Sequence, residues 1–263
     1  MKKPLVMKIG GAILDGYNQG DKTALMALLT VISQLKNQPV VLVHGGGCVV
    51  DEMLKQAGFS TEKKAGLRIT PKAQMPTISG ALAGHVNKAI VACAVNLNLP
   101  SVGLSLADGQ MVKCQLSTKQ LGQVGVPSPY NSTLLDTLLK AKFLPIISSI
   151  GALDNGDLVN VNADDAAVAI CQLLNADLLL LTDVNGVKGA TGEYLSSLDQ
   201  QQAQQLIKQG VIAGGMTAKV NAAFQAANKL RRSIAVASWQ SPEQIIALLD
   251  GGSIGTRIQP SAC

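Results

Sequence analysis

This 263-residue chain has few histidines, no close cysteine pair and little charge. It holds two histidines, its charged fraction is 15%, and its five cysteines, Cys48, Cys93, Cys114, Cys171 and Cys263, are scattered with no C-x-x-C pair. An odd, dispersed set of that kind describes neither a disulfide framework nor a zinc site, and no metal-ligating residue is expected. Cys48, Cys93 and Cys171 fall in apolar helical stretches, where an inert buried thiol is expected rather than a nucleophile. Lys and Arg number 22 against 17 Asp and Glu, a net charge of +5, with no long basic run. Such a surface gives nucleic acid little to hold, whereas a mild positive excess suits a small anion.

Long apolar runs are missing too. No stretch reaches the roughly 18 to 20 uninterrupted apolar residues of a membrane helix, so no membrane partner is expected and the 47% apolar content is assigned to a core. The opening MKKPLVMKIGG has an apolar run that Lys8 cuts short of signal-peptide length, with no clean small-residue cleavage site after it. A cytoplasmic protein is expected. Nor is there a Walker-type loop: no Gly-Lys-Ser/Thr tail occurs, and no G-x-G-x-x-G follows a strand. P-loop NTPase and dinucleotide oxidoreductase chemistry are thereby disfavoured.

What the chain does have is alternation. Short apolar runs at Leu5–Ile9, 40–43, Leu144–Ser148, 178–181 and 234–237 are interleaved with helical patterns such as 21–36 and 49–57. This predicts an α/β fold, a parallel sheet covered by helices on both faces. Residues 105–116, with Asp108-Gly109, and 150–162, with Asn155-Gly156, read as hairpins, so the sheet is expected to be mixed. A change of motif content near residues 174–177 places the expected boundary between a first lobe, 1–174, and a second, 175–263.

Ligands in open α/β sheets bind beyond the carboxyl ends of strands. Three glycine clusters fit such places: Gly10-Gly11 after Lys8, Gly45-Gly46-Gly47 after His44, and Gly214-Gly215 just before Lys219. Glycines let main-chain N–H groups approach an anion, and a helix amino terminus adds partial positive charge. For any one cluster alone a tight turn is the better explanation, because short motifs produce false positives. Together with Lys8 at a strand end and Lys219 early in a helix, where a cation opposes the dipole, they point to an anionic ligand. Two lysines and glycine amides could clamp a transferring phosphoryl group from two sides.

Three further segments carry polar groups. In Asn160-Val161-Asn162-Ala163-Asp164-Asp165 one residue is expected to cap the helix that follows. Strand alternation puts Asn160 and Asn162 on one face, where their amides could bind a polar ligand while Asp164 orients nearby ammonium groups. Arg68, before Pro71, is either a surface arginine or a planar guanidinium able to bind a carboxylate through two parallel hydrogen bonds. Asp183-Val184-Asn185-Gly186, after a strand, is a turn and by position a candidate nucleotide contact.

Taken in order, KIGGAIL, VHGGGCVVDEML, KKAGLRIT, SGALAGHVNK, ISSIG, NVNADDAA, LLLTDVNGV and GGMTAKVNAA resemble the acetylglutamate kinase branch of the amino acid kinase family, from about Lys8 to Arg257. The resemblance implies a three-layer αβα sandwich with a mostly parallel central sheet. Its amino-terminal lobe would hold N-acetyl-L-glutamate and dimerise, and its carboxyl-terminal lobe would hold ATP. The reaction implied is ATP-dependent phosphorylation of the substrate's side-chain carboxylate, a step of arginine biosynthesis, with Mg²⁺ bound mainly through the ATP phosphates. Lys8 and Lys219 would stabilise the moving phosphoryl group, Asp164 would position both, and Gly11 would present its amide. Gly46, Gly47, Arg68, Asn160 and Asn162 would contact the acyl amino acid. Asp183, Val184, Asn185, Gly186, Val187 and Lys188, with Val211, Ile212 and Ala213, would contact the nucleotide.

His85, Thr217-Ala218 and Asn221 depart from the family pattern. The short segment ahead of Lys8 leaves no room for the extra helix of arginine-inhibited hexameric members, so a homodimer without arginine inhibition is expected. The apolar helix 75–97 is a candidate subunit contact or an internal core helix. Kinases of glutamate, aspartate, carbamate or uridylate, and a catalytically silent sensor, are the alternative readings. Arg68 with Asn160 favours an acylated amino acid, and retention of Lys8, Asp164 and Lys219 argues against a sensor.

Overall fold

A computed structural model describes residues 2–35, 37–64, 66–249 and 255–261. The chain opens with β1 (Leu5–Ile9), α1 (Gly11–Asn18), α2 (Thr23–Gln34), β2 (Val40–His44), α3 (Gly47–Gln56), the short strands β3 (Glu62–Lys64) and β4 (Leu67–Ile69), then α4 (Met75–Ser79) and α5 (Asn87–Asn96). Next come β5 (Ser101–Ser105), β6 (Val112–Leu116), β7 (Val124–Pro129), α6 (Thr133–Lys140), β8 (Leu144–Ser148), β9 (Ile150–Ala152), β10 (Leu158–Val161) and α7 (Ala163–Leu173). The remainder is β11 (Asp177–Thr182), β12 (Ser197–Leu198), α8 (Gln200–Lys208), α9 (Gly215–Leu230), β13 (Ile234–Ser238), α10 (Gln244–Leu249) and β14 (Thr256–Ile258).

Eight strands form one sheet in the order β12-β14-β13-β11-β1-β2-β8-β5. Its neighbours are parallel except β13 and β14, which run antiparallel. The α/β class and the mostly parallel, mixed sheet are thus as expected. Side chains alternate between two cores, because successive residues of a strand point to opposite faces. Val6, Val41, Val43, Leu178 and Leu180 pack with α6, α7, α8 and α9. Leu5, Met7, Ile9, Leu42, Leu179 and Leu181 pack with α1, α2, α3, α5 and Ile245 of α10. The same alternation places Lys8, between Met7 and Ile9, on the α7 face.

β1 lies between β11 and β2, with its onward connection on one side and the rest of the carboxyl-terminal strands on the other. That reversal of strand order opens a crevice at the carboxyl ends of β1 and β11, the usual ligand position in such sheets. The expected lobe boundary falls at Leu174, the residue that ends α7, and β11 then returns to pair with β1 over five positions.

The hairpin expected at 150–162 forms, as β9 and β10 pair antiparallel around Gly156 at φ +85°. The one expected at 105–116 does not. β5 belongs to the large sheet, whereas β6 joins a second sheet of order β6-β7-β10-β9. Asp108 accepts bonds from the Ser105 amide and hydroxyl at 2.6 and 2.9 Å, so Asp108-Gly109 turns the chain from one sheet to the other. β3 and β4 make a separate two-stranded hairpin.

By length and a mean hydropathy of 1.4, the helical run Lys72–Asn96 would suffice to cross a membrane, contrary to the reading of the sequence. Here Ile78, Ala81, Ile90 and Ala94 of that run are fully buried against the central sheet. Between α4 and α5 the helix continues as a π-helical stretch, Gly80–Val86.

Candidate active site

Lys8 stands one residue before the end of β1, on the face that α7 covers, and α7 presents Asp164 in its first turn. Their side chains form an ion pair at 2.9 Å, largely shielded, with Lys8 17% and Asp164 28% exposed. Asn162 caps α7, its side-chain oxygen accepting from the amides of Asp164 and Asp165 at 2.9 and 3.2 Å. The cap fixes the first turn, and the first turn fixes the carboxylate that holds the lysine. Just past Lys8, Gly11 is the first residue of α1, so its amide is one of the unbonded donors of a helix start. Lys8 Nζ lies 3.9 Å from where a side chain on Gly10 would begin, close enough that the ammonium sits over this turn.

The second glycine turn follows His44. Gly46 (φ +156°) precedes α3, and a Cβ there would come within 3.0 and 3.1 Å of Val86 and Leu82, so only glycine lets the turn lie on the π-helical stretch. Gly47 opens α3, and its carbonyl accepts from Arg68 Nη2 at 3.1 Å. Arg68 Nη1 donates to Asp51, one turn further along α3. Burial opposes ionisation of Asp51, but the hydrogen bonds and charges of Arg68 and Lys63 outweigh it and hold the carboxyl below its usual range. Arg68 itself lies in β4 and is 9% exposed, and the next helical run begins at Lys72 with Pro71 as its cap. Two residues on, the buried Thr70 accepts from Asn160 Nδ2 at 3.2 Å.

Asn162 and Asp164 line a cleft of about 760 Å³ together with Gly66, Leu67, Ala218 and Asn221. Asn160 and Asn162 do not act as a matched pair of amides: one bonds Thr70, and the oxygen of the other is spent on the helix cap.

The nucleotide-side residues gather around the end of β11. Lys219, in the second turn of α9, is paired with Asp183 rather than with Asp164. The Lys219 hydrogen bond lowers the Asp183 pKa, against a smaller opposing effect of burial. Lys219, Val184, Gly186 and Val187 line a small apolar cavity, and Ala218 next to Lys219 lines the larger cleft, so α9 borders both. Asn185 is exposed, and Lys188 stands over the Tyr194 ring at 5.6 Å. Ile212 is buried between α8 and α9, with Val211 and Ala213 exposed beside it. No group of three or more His, Cys, Asp or Glu side chains suited to a metal occurs among the described residues.

His44 is fully buried. Its Nδ1 donates to the Gly45 carbonyl at 2.8 Å, and its Nε2 accepts from Asn87 at 3.0 Å. Asn87 also donates to the Ile146 carbonyl at 2.9 Å. Burial above all, with the charge of Lys88 adding, pushes the His44 pKa down to about 4 despite the bond to Gly45. Cys48 is exposed, not buried as expected; a hydrogen bond to Asp15 chiefly raises its pKa and keeps the thiol protonated. Cys114 and Cys171 are pushed up to about 11 by burial. Cys263 lies outside the described residues.

Asp51, Thr70 and Asn87 fall inside the stretches VHGGGCVVDEML, KKAGLRIT and SGALAGHVNK, yet no role is expected for any of them from the sequence. Asp51, four residues beyond Gly47 on the same helix face, is the one that helical spacing could have signalled.

A model of the amino acid kinase family matches residues 3–238. An acetylglutamate kinase of Colwellia psychrerythraea is 76% identical over 259 residues, covering 98% of both chains. One of Yersinia pestis is 46% identical over 258 residues, covering 98% of this chain and 99% of its own. Among solved structures, smu.665 from Streptococcus mutans superposes with a TM-score of 0.76 at 27% identity, over 99% of this chain and all of the other.

Proposed function

This chain belongs to the amino acid kinase family, and from that premise we infer that it transfers the γ-phosphoryl group of ATP to the side-chain carboxylate of N-acetyl-L-glutamate, a step of arginine biosynthesis. The observation that carries this reading is the Lys8–Asp164 pair, held by a capped helix beside two glycine turns at the reversal of strand order.

The acceptor carboxylate is already ionised at neutral pH, so attack on phosphorus needs no general base. The burden is instead to bring two anions together in line. Lys8, oriented by Asp164, and the Gly11 amide face the incoming charge; Lys219 leaves Asp183 to meet the γ-phosphate when nucleotide enters. Arg68 keeps donors beyond those given to Asp51 and Gly47, and with Asn160, Gly46 and Gly47 it holds the acyl amino acid. The segment Asp183 to Lys188, with Val211 to Ala213, takes the nucleotide. The two lobes, 1–174 and 175–263, divide these tasks.

Asp164 and Asp183 each carry a lysine, which leaves the site without a free carboxylate pair for a protein metal cage. That donor set fits Mg²⁺ carried by ATP phosphates and water, the ion's preferred ligands. Bound so, Mg²⁺ neutralises charge on the phosphates. The protein is proposed to be a cytoplasmic homodimer that arginine does not inhibit.

A coupled assay of ADP release tests the acceptor: turnover is expected with N-acetylglutamate and not with glutamate, aspartate, carbamate or UMP. Turnover with one of the others alone would overturn the choice, and ATP binding without ADP release would favour a sensor. Sedimentation as a hexamer, or inhibition by millimolar arginine, would overturn the assembly.

A further inference from the structure

The hydroxyl of Thr256 is fully buried, lies in β14 at the far end of the chain, and has no part in the chemistry described so far. It accepts from the Val187 amide at 2.8 Å and donates to the Leu195 carbonyl at 2.8 Å. Those two groups are the two sides of one loop. Leu195 N–H bonds Val187 O at 2.9 Å, Lys188 bridges Tyr194, and Gly189 N–H bonds Glu193 O at 2.8 Å. The loop is therefore a narrow ribbon, and Thr256 closes its base.

The backbone is built around this contact. A Cβ on Gly186, at φ +153°, would lie 2.8 Å from Thr256 Oγ1. A Cβ on Gly255, at φ +65°, would lie 1.9 Å from the Val236 carbonyl oxygen. Gly255 lets the chain entering β14 lie against β13, and Gly186 lets the loop approach β14 until one hydroxyl spans both strands of the ribbon. β14 is itself anchored between β12 and β13, so the hydroxyl is delivered from a fixed frame.

We propose that Thr256 is a positioning residue for nucleotide binding, tying Gly186 and Val187 to the sheet so that the segment 183–188 is preset for ATP. The proposal rests on the assignment of that segment to the nucleotide. It differs from a general stability role in its prediction that one substrate suffers and the other does not. Val187, Met216 and Ile258 line the same small cavity as Lys219, so loosening the ribbon base displaces the wall beside the proposed phosphate lysine.

The test uses the full chain as Thr256→Val, which keeps the shape and removes the hydroxyl, and Thr256→Ser, which restores it. Two measurements are paired: steady-state KM for ATP and for N-acetylglutamate, and hydrogen exchange of the Val187 amide. In Thr256→Val the exchange is expected to accelerate and the KM for ATP to rise about tenfold, as for a lost buried hydrogen bond. KM for N-acetylglutamate should stay within about twofold, and Thr256→Ser should return both readouts to the parent. Unchanged Val187 exchange would overturn the positioning role. Faster exchange with an unchanged KM for ATP would instead show that the segment is held as described but does not bind nucleotide, which refutes the assignment beneath it. Should the valine variant fold poorly, Thr256→Ala against Thr256→Ser isolates the same hydroxyl.

Discussion

Acidification is expected to weaken the fold through one histidine. His44 is buried and neutral, and its pKa stands at about 4 against an ordinary 6.5. Above pH 6.5 neither the folded nor the unfolded chain protonates this ring, and it costs nothing. As pH falls from 6.5 towards 4, the unfolded chain takes a proton that the native state refuses, so stability drops. At roughly 1.4 kcal/mol per pKa unit the full loss is about 3 kcal/mol, a large part of a typical domain's 5–15 kcal/mol. Below about 4 both states are protonated and the contribution stops growing. The lowered carboxyls of Asp51 and Asp183 act in a separate window, since their stabilisation persists until pH falls below the usual carboxylate range near 3.8. Urea unfolding followed by circular dichroism, from pH 7 to pH 4, would measure this for the parent and for His44→Gln. The variant will be less stable at pH 7, but its curve should be flatter, the parent losing about 3 kcal/mol more across the window. Parallel curves would refute the reasoning, because both proteins share every other titrating group.

Lys8→Ala and Lys219→Ala should each lower kcat by about 10² to 10³, the effect of removing one charge-stabilising donor, while the far-UV spectrum is retained. A kcat within about threefold of the parent would remove that lysine from the chemistry. Arg68→Lys cannot reproduce the two-pronged link to Asp51 and the Gly47 carbonyl, and should raise KM for N-acetylglutamate about tenfold with kcat little changed. Equal affinity in direct calorimetry would exclude Arg68 from the site. Chelation of Mg²⁺ should abolish turnover yet leave the melting temperature of the free protein within about 1 °C, since the proposed ion is carried by the ATP phosphates rather than by the fold. A chelator-induced loss of stability would reveal a resident ion.

The central strands were legible because their apolar runs are continuous, as they must be when both faces are covered. β5 lacks that run: Ser-Val-Gly-Leu-Ser sits half-buried at the edge of the large sheet, and its Asp-Gly neighbour imitates a hairpin while turning into a different sheet. Lys8, Asp164 and the glycine turns could be picked out because each stands at the end of a strand or the start of a helix, positions that local pattern marks. Partnerships across the fold could not. Asp51 and Arg68 are 17 residues apart and His44 and Asn87 are 43 apart, and packing alone brings them together. The exchange of Asp164 for Asp183 as the partner of Lys219 is of the same kind, because it depends on where the end of β11 lies relative to α9.

The π-helical turns before Asn87 also set the phase of the helix that follows. A residue in an α-helix is rotated by about 100° from the one before it. A π-helical turn takes up about one residue more than an α-helical turn, so the stretch Gly80–Val86 carries an extra residue while still presenting Asn87 to the imidazole and Ile90, Cys93 and Ala94 to the core they fill. Straightening all seven residues to α-geometry would turn Asn87 off the imidazole, whereas loss of a single residue from the stretch should be absorbed as ordinary α-helix with that contact kept.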